Sequence, residues 1–546
     1  MIDSERMYEN LKRLVRVPSV SGTKDEIQGA YAIRDLLLEI PYFQEHPDQV
    51  QMLPLQHDPL NRSIVTAFLK GDGSGSKTVI LTGHYDVVDT EEYGVLRESA
   101  FDIDEMEKVI EQLPMDDECR EDLKSGNWIF GRGTADMKYG HVLCLELLRY
   151  FSEKGGLHGN ILYTAVCGEE TNSEGMLRAV PFYNQMREKY NLDYQALLMT
   201  ECYIVDDQSD PDTRYIHIGA SGKIMPMFFF VGDATHGDAP FLGLDPNLMA
   251  EEVYQRLEMN SDFCQQDRGE TTPVPVCLKM QDLKATYSVS TPLYSASYYN
   301  IITVHMDPEQ AMMKLKEIAE DAFQASIEFI QNKAYKLADQ YGHMPEVKHY
   351  VPQIFTYREV LQCAEKNYDG DLNAGMMKYI KQLQEKGLEM QTIAIYLVKK
   401  IYEIAAIHQP CIIISIIPPY YPDVYPDDHD PKVQNLRHCM ADTMQYAAEQ
   451  YQTKMAVRDY YMGLSDLSYT GIDPDKNFDA LFENVAGVDQ MYFLPSEDLK
   501  QFSVPGIVMG GYGKDFHKST ERLEKKYNFH VLPQLYVRLI QDLLEE

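Results

Sequence analysis

Seven histidine and carboxylate residues in this sequence stand where they can bind metal ions and activate water. Four apolar runs, each typical of a buried strand, lead into such residues: KTVILTGHYD, NILYTAVCGEE, YQALLMTE and, through a short loop, VPGIVMGG. A further aspartate lies in GRGTADMKYG, just before a predicted helix. The candidates are His84, Asp86, Asp136, Glu169, Glu170, Glu201 and His517. Because ligands gather at the carboxyl ends of parallel strands, these segments can meet in one crevice.

The residue types suit hydrolysis assisted by a divalent metal. Mixed imidazole and carboxylate ligation is typical of zinc or another divalent first-row metal, and it leaves a position open for water. Two ions roughly 3.5–4 Å apart need a bridging carboxylate. A separate carboxylate must take the proton from water and give it to the leaving amine. The neighbours Glu169 and Glu170 can divide these tasks, since adjacent side chains diverge in an extended segment.

The same residues also have ordinary structural explanations. The chain has 15 histidines, most of which we expect on the surface or satisfied in the core. An acidic pair is usually a solvated loop, and Asp136 could cap a helix. Gly131 and Gly133 could serve only a tight turn, and we assign His141, inside a predicted helix, a structural role. The position of the candidates at strand ends favours the site.

The elements that must position these residues alternate between strands and helices. Buried strands are predicted at Val79–Leu81, Ile161–Val166, Ala196–Met199 and Ile507–Met509, and helices at Glu5–Leu14, Ile27–Glu39, Tyr139–Lys154 and Tyr536–Glu545. This alternation predicts an α/β fold around a largely parallel sheet. An acidic, helical stretch over Phe101–Asp122 is predicted to be an insertion, called the acidic insertion below.

A smaller α+β domain is predicted inside the larger one. Antiparallel strands at Ile224–Val231 and Tyr299–Met306 interleave with helices near Pro246–Met259 and Pro308–Ile330. The segment 334–406 is mostly helical and is predicted to be another insertion. We therefore predict a catalytic domain in two parts, 1–215 and 421–546, with the smaller domain over 216–420.

Composition and charge restrict the partners. A formal net charge of -35 over 546 residues argues against nucleic acid and anionic membranes as partners. The longest apolar run, Cys411–Ile417, is far shorter than the roughly 20 residues of a membrane span. The start, MIDSERMYENLKRLV, is unlike a signal peptide, and the nine cysteines form no C-x-x-C pair. These features predict a cytoplasmic protein with reduced thiols.

Seven segments, in order, resemble the M20 family of metallopeptidases. They are LVRVPSVSGTKDE, GHYDVVD, GRGTADMKYG, GEE, SGKIMPMFFFVGDATHGDAPFLGLDPN, GLSDLSYTG and GGYGKDFHKSTERL. Within the family, the acidic insertion and PPYYP are similar to those of arginine-utilisation proteins of the Roc type. The resemblance implies a zinc-exopeptidase-like catalytic domain and a ferredoxin-like lid domain. It also implies two Zn²⁺ ions, with Mn²⁺ or Co²⁺ as alternatives, and a homodimer formed through the lid.

The resemblance also implies a role for each matching residue. His84, Asp136 and Glu201 would hold one zinc, and Asp136, Glu170 and His517 the other, with Asp136 bridging. Asp86 would orient His84, and Glu169 would be the general acid and base. His236 matches a lid histidine that stabilises the tetrahedral oxyanion in the partner's site of dimeric relatives. A cis peptide between Asp136 and Met137 is expected from the same resemblance.

The chain departs from the family in the lid. Relatives that bind a free α-carboxylate often carry an arginine on the third lid strand, where NIITVHMDPE has Met306. Lys223 or Arg522 could supply the charge instead, the substrate could have no free carboxylate, or the strand alignment could be shifted. The long helical insertion over 334–406 is a second departure.

We predict hydrolysis of an amide bond in a small peptide or N-acyl amino acid, in arginine or other amino-acid catabolism. One alternative is a metal-dependent deacylase or carbamoyl hydrolase acting on a pathway intermediate. The other is a non-catalytic binding protein on the same scaffold, which the intact candidate set disfavours.

Overall fold

The computed structural model describes residues 2–72, 75–203 and 210–545. The chain folds into two compact units. The first comprises Met1–Ser221, Val424–Ile472 and Pro495–Glu546. The second comprises Gly222–Asp423 and Asp473–Leu494. Residues 473–494, which lie in the predicted second catalytic part, thus belong to the second unit.

The first unit is built on an eight-stranded mixed sheet. In sheet order its strands are Val50–Pro54, Ser63–Leu69, Asn160–Val166, Lys77–His84, Asp193–Met199, Gly506–Val508, Thr213–Ala220 and Lys454–Tyr461. The third to sixth strands in this order are mutually parallel. They are almost entirely buried, which explains their continuous apolar sequences. The α/β fold predicted from the alternation is confirmed, and its central strands are parallel.

Helices pack on this sheet, and most begin close to where they are predicted. The main ones are Ser4–Val15, Glu26–Leu38, Lys138–Lys154, Glu174–Tyr190, Pro431–Tyr451 and Leu532–Leu544. The first begins at a side-chain cap, because the Asp3 carboxylate accepts a hydrogen bond from the amide of Arg6. Lys138–Lys154 and Glu174–Tyr190 each begin within a few residues of a candidate site residue.

A small three-stranded sheet lies beside the acidic insertion. Its strands are Gly513–Lys514, Arg522–Glu524 and Trp128–Phe130, all antiparallel. The acidic insertion forms the short helices Ile103–Val109 and Asp117–Ser125, the second ending at Gly126 in the left-handed region. The helical character predicted for this stretch is therefore present in the structure.

The second unit contains a six-stranded sheet. Its order is Val276–Asp282, Tyr294–Thr303, Pro226–Val231, Cys411–Ile416 and Ile354–Thr356, with Gly222–Ile224 also pairing with Tyr294–Thr303. Its helices are Pro246–Leu257, Pro308–Tyr341, Tyr357–Asn367, Leu372–Gln384 and Met390–Ala405. The antiparallel pairing predicted for the two central strands is present.

The segment 334–406 contributes to the sheet as well as to the helical layer. Its strand Ile354–Thr356 pairs in parallel with Cys411–Ile416. The apolar faces of Tyr357–Asn367 and Met390–Ala405 pack against the sheet around Phe229 and Ile413. The segment is therefore part of the second unit's core.

Three further findings bear on the sequence expectations. Within residues 2–72, 75–203 and 210–545, no helix has the length and apolar character needed to span a membrane. All nine cysteines are free thiols, and six of them are buried. The peptide between Asp136 and Met137 is cis.

Candidate metal centre and active site

The parallel strands bring six of the sequence-predicted residues into one cluster within the first unit. His84 is the last residue of Lys77–His84, and the neighbouring strands Asn160–Val166 and Asp193–Met199 lead into the segments that carry the glutamates. Loops next to the sheet supply the rest. The clustered residues are His84, Asp136, Glu169, Glu170, Glu201 and His517.

Two imidazoles lie on either side of one aspartate. The Nε2 atom of His84 is 3.2 Å from Oδ1 of Asp136 and 3.2 Å from Oε2 of Glu201. The Nε2 atom of His517 is 3.2 Å from Oδ2 of Asp136 and 3.1 Å from Oε2 of Glu170. Asp136 therefore faces each imidazole with a different oxygen. A carboxylate that bridges two metal ions needs this arrangement.

The charge of the cluster fits divalent cations. Burial raises the pKa of Glu201, and burial together with the charge of Asp136 raises that of Glu170 to about 7, against the effect of His517. The Oε1 atom of Glu170 is buried and has no hydrogen-bond partner among the described residues. Several buried carboxylates this close together are costly unless cations balance them. The residues present thus fit two ions, one at His84, Asp136 and Glu201 and one at Asp136, Glu170 and His517.

The same carboxylates act on the two histidines. Burial works to lower the pKa of His84, but Glu201 and Asp136 outweigh it and hold the pKa well above its usual range. Hydrogen bonds from His517 to Asp136 and Glu170 raise the pKa of His517 to about 10. Both rings must release a proton before Nε2 can bind a metal, so metal binding is coupled to proton release.

Glu169 lies beside the two sets of residues that fit metal ions and belongs to neither set. Its Oε2 atom is 3.9 Å from Nε2 of His84, beyond hydrogen-bond distance, and its side chain is only 10% exposed. Burial raises the pKa of Glu169 well above its usual range, against the effect of His84 and with a contribution from Asp466. A carboxyl that holds a proton near neutral pH is suited to general acid and base catalysis.

Asp86 does not orient His84 through its carboxylate. Nδ1 of His84 is 3.7 Å from that carboxylate but 3.0 Å from the main-chain oxygen of Asp86, to which it can donate. The Asp86 carboxylate instead accepts hydrogen bonds from the amides of Glu169 and Glu170, at 3.3 and 3.2 Å, and from the Ser21 hydroxyl at 2.7 Å. Asp86 thus engages Nδ1 of His84, which leaves Nε2 of that ring facing the cluster. Its carboxylate fixes the loop of the two glutamates.

The sequence profile of peptidase family M20/M25/M40 matches residues 80–542 of this chain. The chain belongs to this family. It is therefore an enzyme, a metal-dependent hydrolase of the metallopeptidase type, and every residue of the cluster lies inside the matched range.

Two curated proteins are similar over the full length. Protein RocB of Bacillus subtilis strain 168 is 29% identical over 563 aligned positions, covering 100% of this chain and 96% of RocB. Protein YqjN of the same strain is 34% identical over 544 positions, covering 98% of this chain and 96% of YqjN. The match to RocB agrees with the resemblance to Roc-type proteins.

Among solved structures, the dipeptidase Dug1p of Saccharomyces cerevisiae has a similar fold. The TM-score is 0.56 at 12% identity, and the alignment covers 99% of this chain and 96% of Dug1p. At this identity the likeness supports the fold alone.

A buried glutamate that no sequence pattern indicated holds the main chain of Asp136. Oε1 of Glu521 accepts hydrogen bonds from the amides of Ala135 and Asp136, both at 3.2 Å. Its Oε2 accepts from Nη1 of Arg132 at 2.6 Å, and Arg132 also pairs with Glu92. Glu521 is 0% exposed, whereas its sequence context, KSTERL, is that of an ordinary polar loop.

A second buried network supports the loop of Glu169 and Glu170. Gly168 has a φ of +70°, and a Cβ there would lie 2.4 Å from Oε2 of Glu174 and 2.7 Å from Nη1 of Arg62. Only glycine fits this approach without displacing the ion pair. Arg62 also pairs with Glu26 at 3.1 Å and Asp58 at 3.0 Å, so the loop rests on a fully paired guanidinium.

Three further candidates, His236 from the resemblance and Lys223 and Arg522 as possible replacements for the missing arginine, lie outside the cluster or are engaged. His236 lies in the second unit, its side chain 62% exposed and its Nδ1 atom 2.6 Å from Oδ1 of Asp238. Lys223 is buried in that unit against the Tyr421 ring. Arg522 is buried and bound to two aspartates, so it is already engaged within the first unit.

Proposed function

We propose that this chain hydrolyses the amide bond of a small peptide or N-acyl amino acid with two divalent metal ions, Zn²⁺ or alternatively Mn²⁺ or Co²⁺. The observation that carries the proposal is Asp136, which faces His84 and His517 with separate carboxylate oxygens. Metal ions bound there would polarise the scissile carbonyl and lower the pKa of water.

Glu169 supplies the proton transfers in this proposal. Its carboxylate takes the proton of the attacking water and later delivers it to the leaving amine. Asp86 fixes Glu169 by accepting the hydrogen bond from its main-chain amide. Glu521 keeps Asp136 in place by accepting from the amides of Ala135 and Asp136.

The substrate is proposed to differ from that of simple aminoacylases. Met306 is buried and has no donor with which to bind a carboxylate, and Arg522 is engaged by two aspartates. These observations favour a second candidate function, a metal-dependent deacylase or carbamoyl hydrolase acting on an amino-acid pathway intermediate. The full-length similarity to RocB supports a role in arginine or other amino-acid catabolism.

A homodimer through the second unit is also proposed. The strand Val276–Asp282 lies at the sheet edge, and Val276, Leu278 and Met280 on it are 41%, 51% and 50% exposed. An exposed apolar edge strand favours pairing with a second copy of itself. In such a dimer His236 is proposed to stabilise the oxyanion in the partner's site. Analytical ultracentrifugation should show a dimer in the wild type and a monomer in Leu278→Lys.

A substrate panel tests the reaction. The protein loaded with Zn²⁺, Mn²⁺ or Co²⁺ is incubated with dipeptides, N-acyl amino acids and N-carbamoyl amino acids. We expect turnover on at least one class, with N-acetyl-methionine and N-acetyl-arginine poor, well below the usual kcat/KM of about 10⁴–10⁸ M⁻¹s⁻¹. Efficient hydrolysis of those two compounds would overturn the substrate assignment. Stoichiometric metal without turnover on any compound would favour a non-catalytic binding protein.

A further inference from the structure

The acidic insertion is physically joined to the loop that carries His517. Its helices pack around a small apolar cluster that includes Met106, Ile110, Cys119 and Phe130. Phe130 belongs to the strand Trp128–Phe130, which pairs with Arg522–Glu524, which in turn pairs with Gly513–Lys514. The loop of His517 connects these last two strands. The insertion therefore packs against the small sheet from which the loop leaves.

Ion pairs tie the insertion to both ends of that loop. Oδ2 of Asp122 accepts hydrogen bonds from Nε of Arg522 at 2.8 Å and from Nζ of Lys514 at 2.8 Å. Lys514 also donates to Oε1 of Glu118 at 2.8 Å. The Arg522 side chain is 1% exposed, so its contact with Asp122 is shielded from water. Asp122 thus joins the two strands from which the loop leaves.

The loop itself needs outside support. Asp515 and His517 both have left-handed backbone conformations, with φ of 57° and 62°. Such conformations are strained for residues other than glycine and persist only where the surrounding structure holds them. Asp515 is fixed by Arg522 and by the Thr520 hydroxyl, which donates to its Oδ2 at 2.8 Å. Arg522 is therefore the link between Asp122 in the insertion and the strained loop.

We propose that the acidic insertion is a brace for one of the two metal subsites, and that Asp122 is its positioning residue. By holding Arg522 and Lys514, Asp122 keeps the loop in the conformation that places Nε2 of His517 beside Asp136 and Glu170. The brace bears most strongly on the subsite of His517. It bears more weakly on that of His84 and Glu201, because Asp136 belongs to both subsites and is held by Glu521 of the same loop. The inference rests on the proposed two-metal function, since it concerns the affinity of one of the two sites.

Metal titration of the full-length protein tests the brace. Zn²⁺ binding is measured by competition with a chromophoric chelator, and Co²⁺ binding by its visible absorption. In Asp122→Asn we expect one of the two affinities to fall about 10–100-fold, as for other residues that support a ligand, and the other to fall much less. Glu121→Gln, exposed on the same helix, removes an equal charge and should bind both ions as the wild type does. Asp122→Glu should restore much of the lost affinity.

Alternative outcomes separate the brace from the proposed function. The brace would be overturned if Asp122→Asn bound both metal ions with the affinities of the wild type. It would also be overturned if both affinities fell by the same factor. If Asp122→Asn does not fold, Lys514→Met gives the same test, because it removes one donor and keeps the apolar stem. If the wild type binds no metal, the proposed function fails. The brace is then judged by hydrogen exchange over residues 513–522, which must be faster in Asp122→Asn than in Glu121→Gln.

Discussion

Glu169 is the residue on which the chemistry of the proposed reaction depends most. Burial raises its pKa, and its carboxylate lies outside both proposed sets of metal ligands. We predict that Glu169→Gln binds metal as the wild type does but loses about 10²–10⁴-fold in kcat. Elemental analysis and kcat on the best substrate of the panel check this.

The matched control is Glu153→Gln, an exposed glutamate on the helix Lys138–Lys154, which should leave both quantities unchanged. Loss of a metal ion from Glu169→Gln would instead identify Glu169 as a ligand. Unchanged kcat would assign the proton transfers to another group.

His517 tests the division of the cluster into two subsites. Its ring is half-exposed and contacts Asp136 and Glu170, so its removal should change metal binding more than folding. We predict that His517→Ala binds one metal ion where the wild type binds two, and that activity collapses. Metal stoichiometry by elemental analysis checks this, with the exposed His438→Ala as control. Two ions in His517→Ala would show that this histidine is no ligand.

At the residue scale, the sequence indicated site residues where a suitable residue type stands at a suitable position in the predicted fold. Histidines and acids at the ends of apolar strands could be selected because parallel strands bring their carboxyl ends together. Glu521 could not be selected in this way. It contacts main-chain amides and an arginine that is distant in sequence, and neither contact leaves a local pattern in the sequence. The sequence also could not show that Asp86 contacts His84 through its main-chain oxygen, because a residue's identity does not tell which of its atoms makes a contact.

At the element scale, the buried network under the loop of Glu169 and Glu170 should make stability depend on pH. Glu26 is 0% exposed and faces Arg62, with Asp58, Glu174 and Asp86 nearby. Burial, then the charge of Asp86, raises the pKa of Glu26 from 4.5 to about 8, although Arg62 opposes this.

Because the pKa is higher in the folded state, the protonated carboxyl stabilises the fold. That contribution is complete below pH 4.5 and is lost as the pH rises through about 8. We predict that the wild type loses stability relative to Glu26→Gln between about pH 5 and 8.5. Urea unfolding of both proteins at several pH values measures this. A stability difference that does not change with pH would contradict the raised pKa.

Element boundaries followed from the sequence where an element has a clear period. The helix predicted at Glu5–Leu14 spans Ser4–Val15, and the strand predicted at Ile161–Val166 spans Asn160–Val166. The strand Ile354–Thr356 was missed because three residues are too few to show alternation. Its parallel partner, Cys411–Ile416, lies far away in sequence, so no hairpin turn indicates the pairing.

At the scale of the whole molecule, the division of the chain depends on contacts that no local pattern encodes. Residues 473–494 return to the second unit because Ile416 exchanges main-chain hydrogen bonds with Asn484 and Ala486. The sequence predicted one return to the catalytic part after residue 420, as the α/β pattern resumes there. This short segment shows no hydrophobic period of its own. Only its long-range hydrogen bonds reveal that it belongs to the second unit.

The placement of the proposed metal ligands leads to a prediction about thermal unfolding. All six clustered residues belong to the first unit, and the second unit has a separate apolar core around Phe229 and Ile413. Ions that bind only the folded first unit stabilise it by about 2.7 kcal/mol when present at a hundred times their Kd. We therefore predict that metal loading raises the calorimetric transition of the first unit by roughly 5 °C or more and leaves that of the second unit in place. A chelator should reverse the shift, and His517→Ala should show a smaller one. An equal shift of both transitions, or none, would show that the ions do not bind specifically to the first unit.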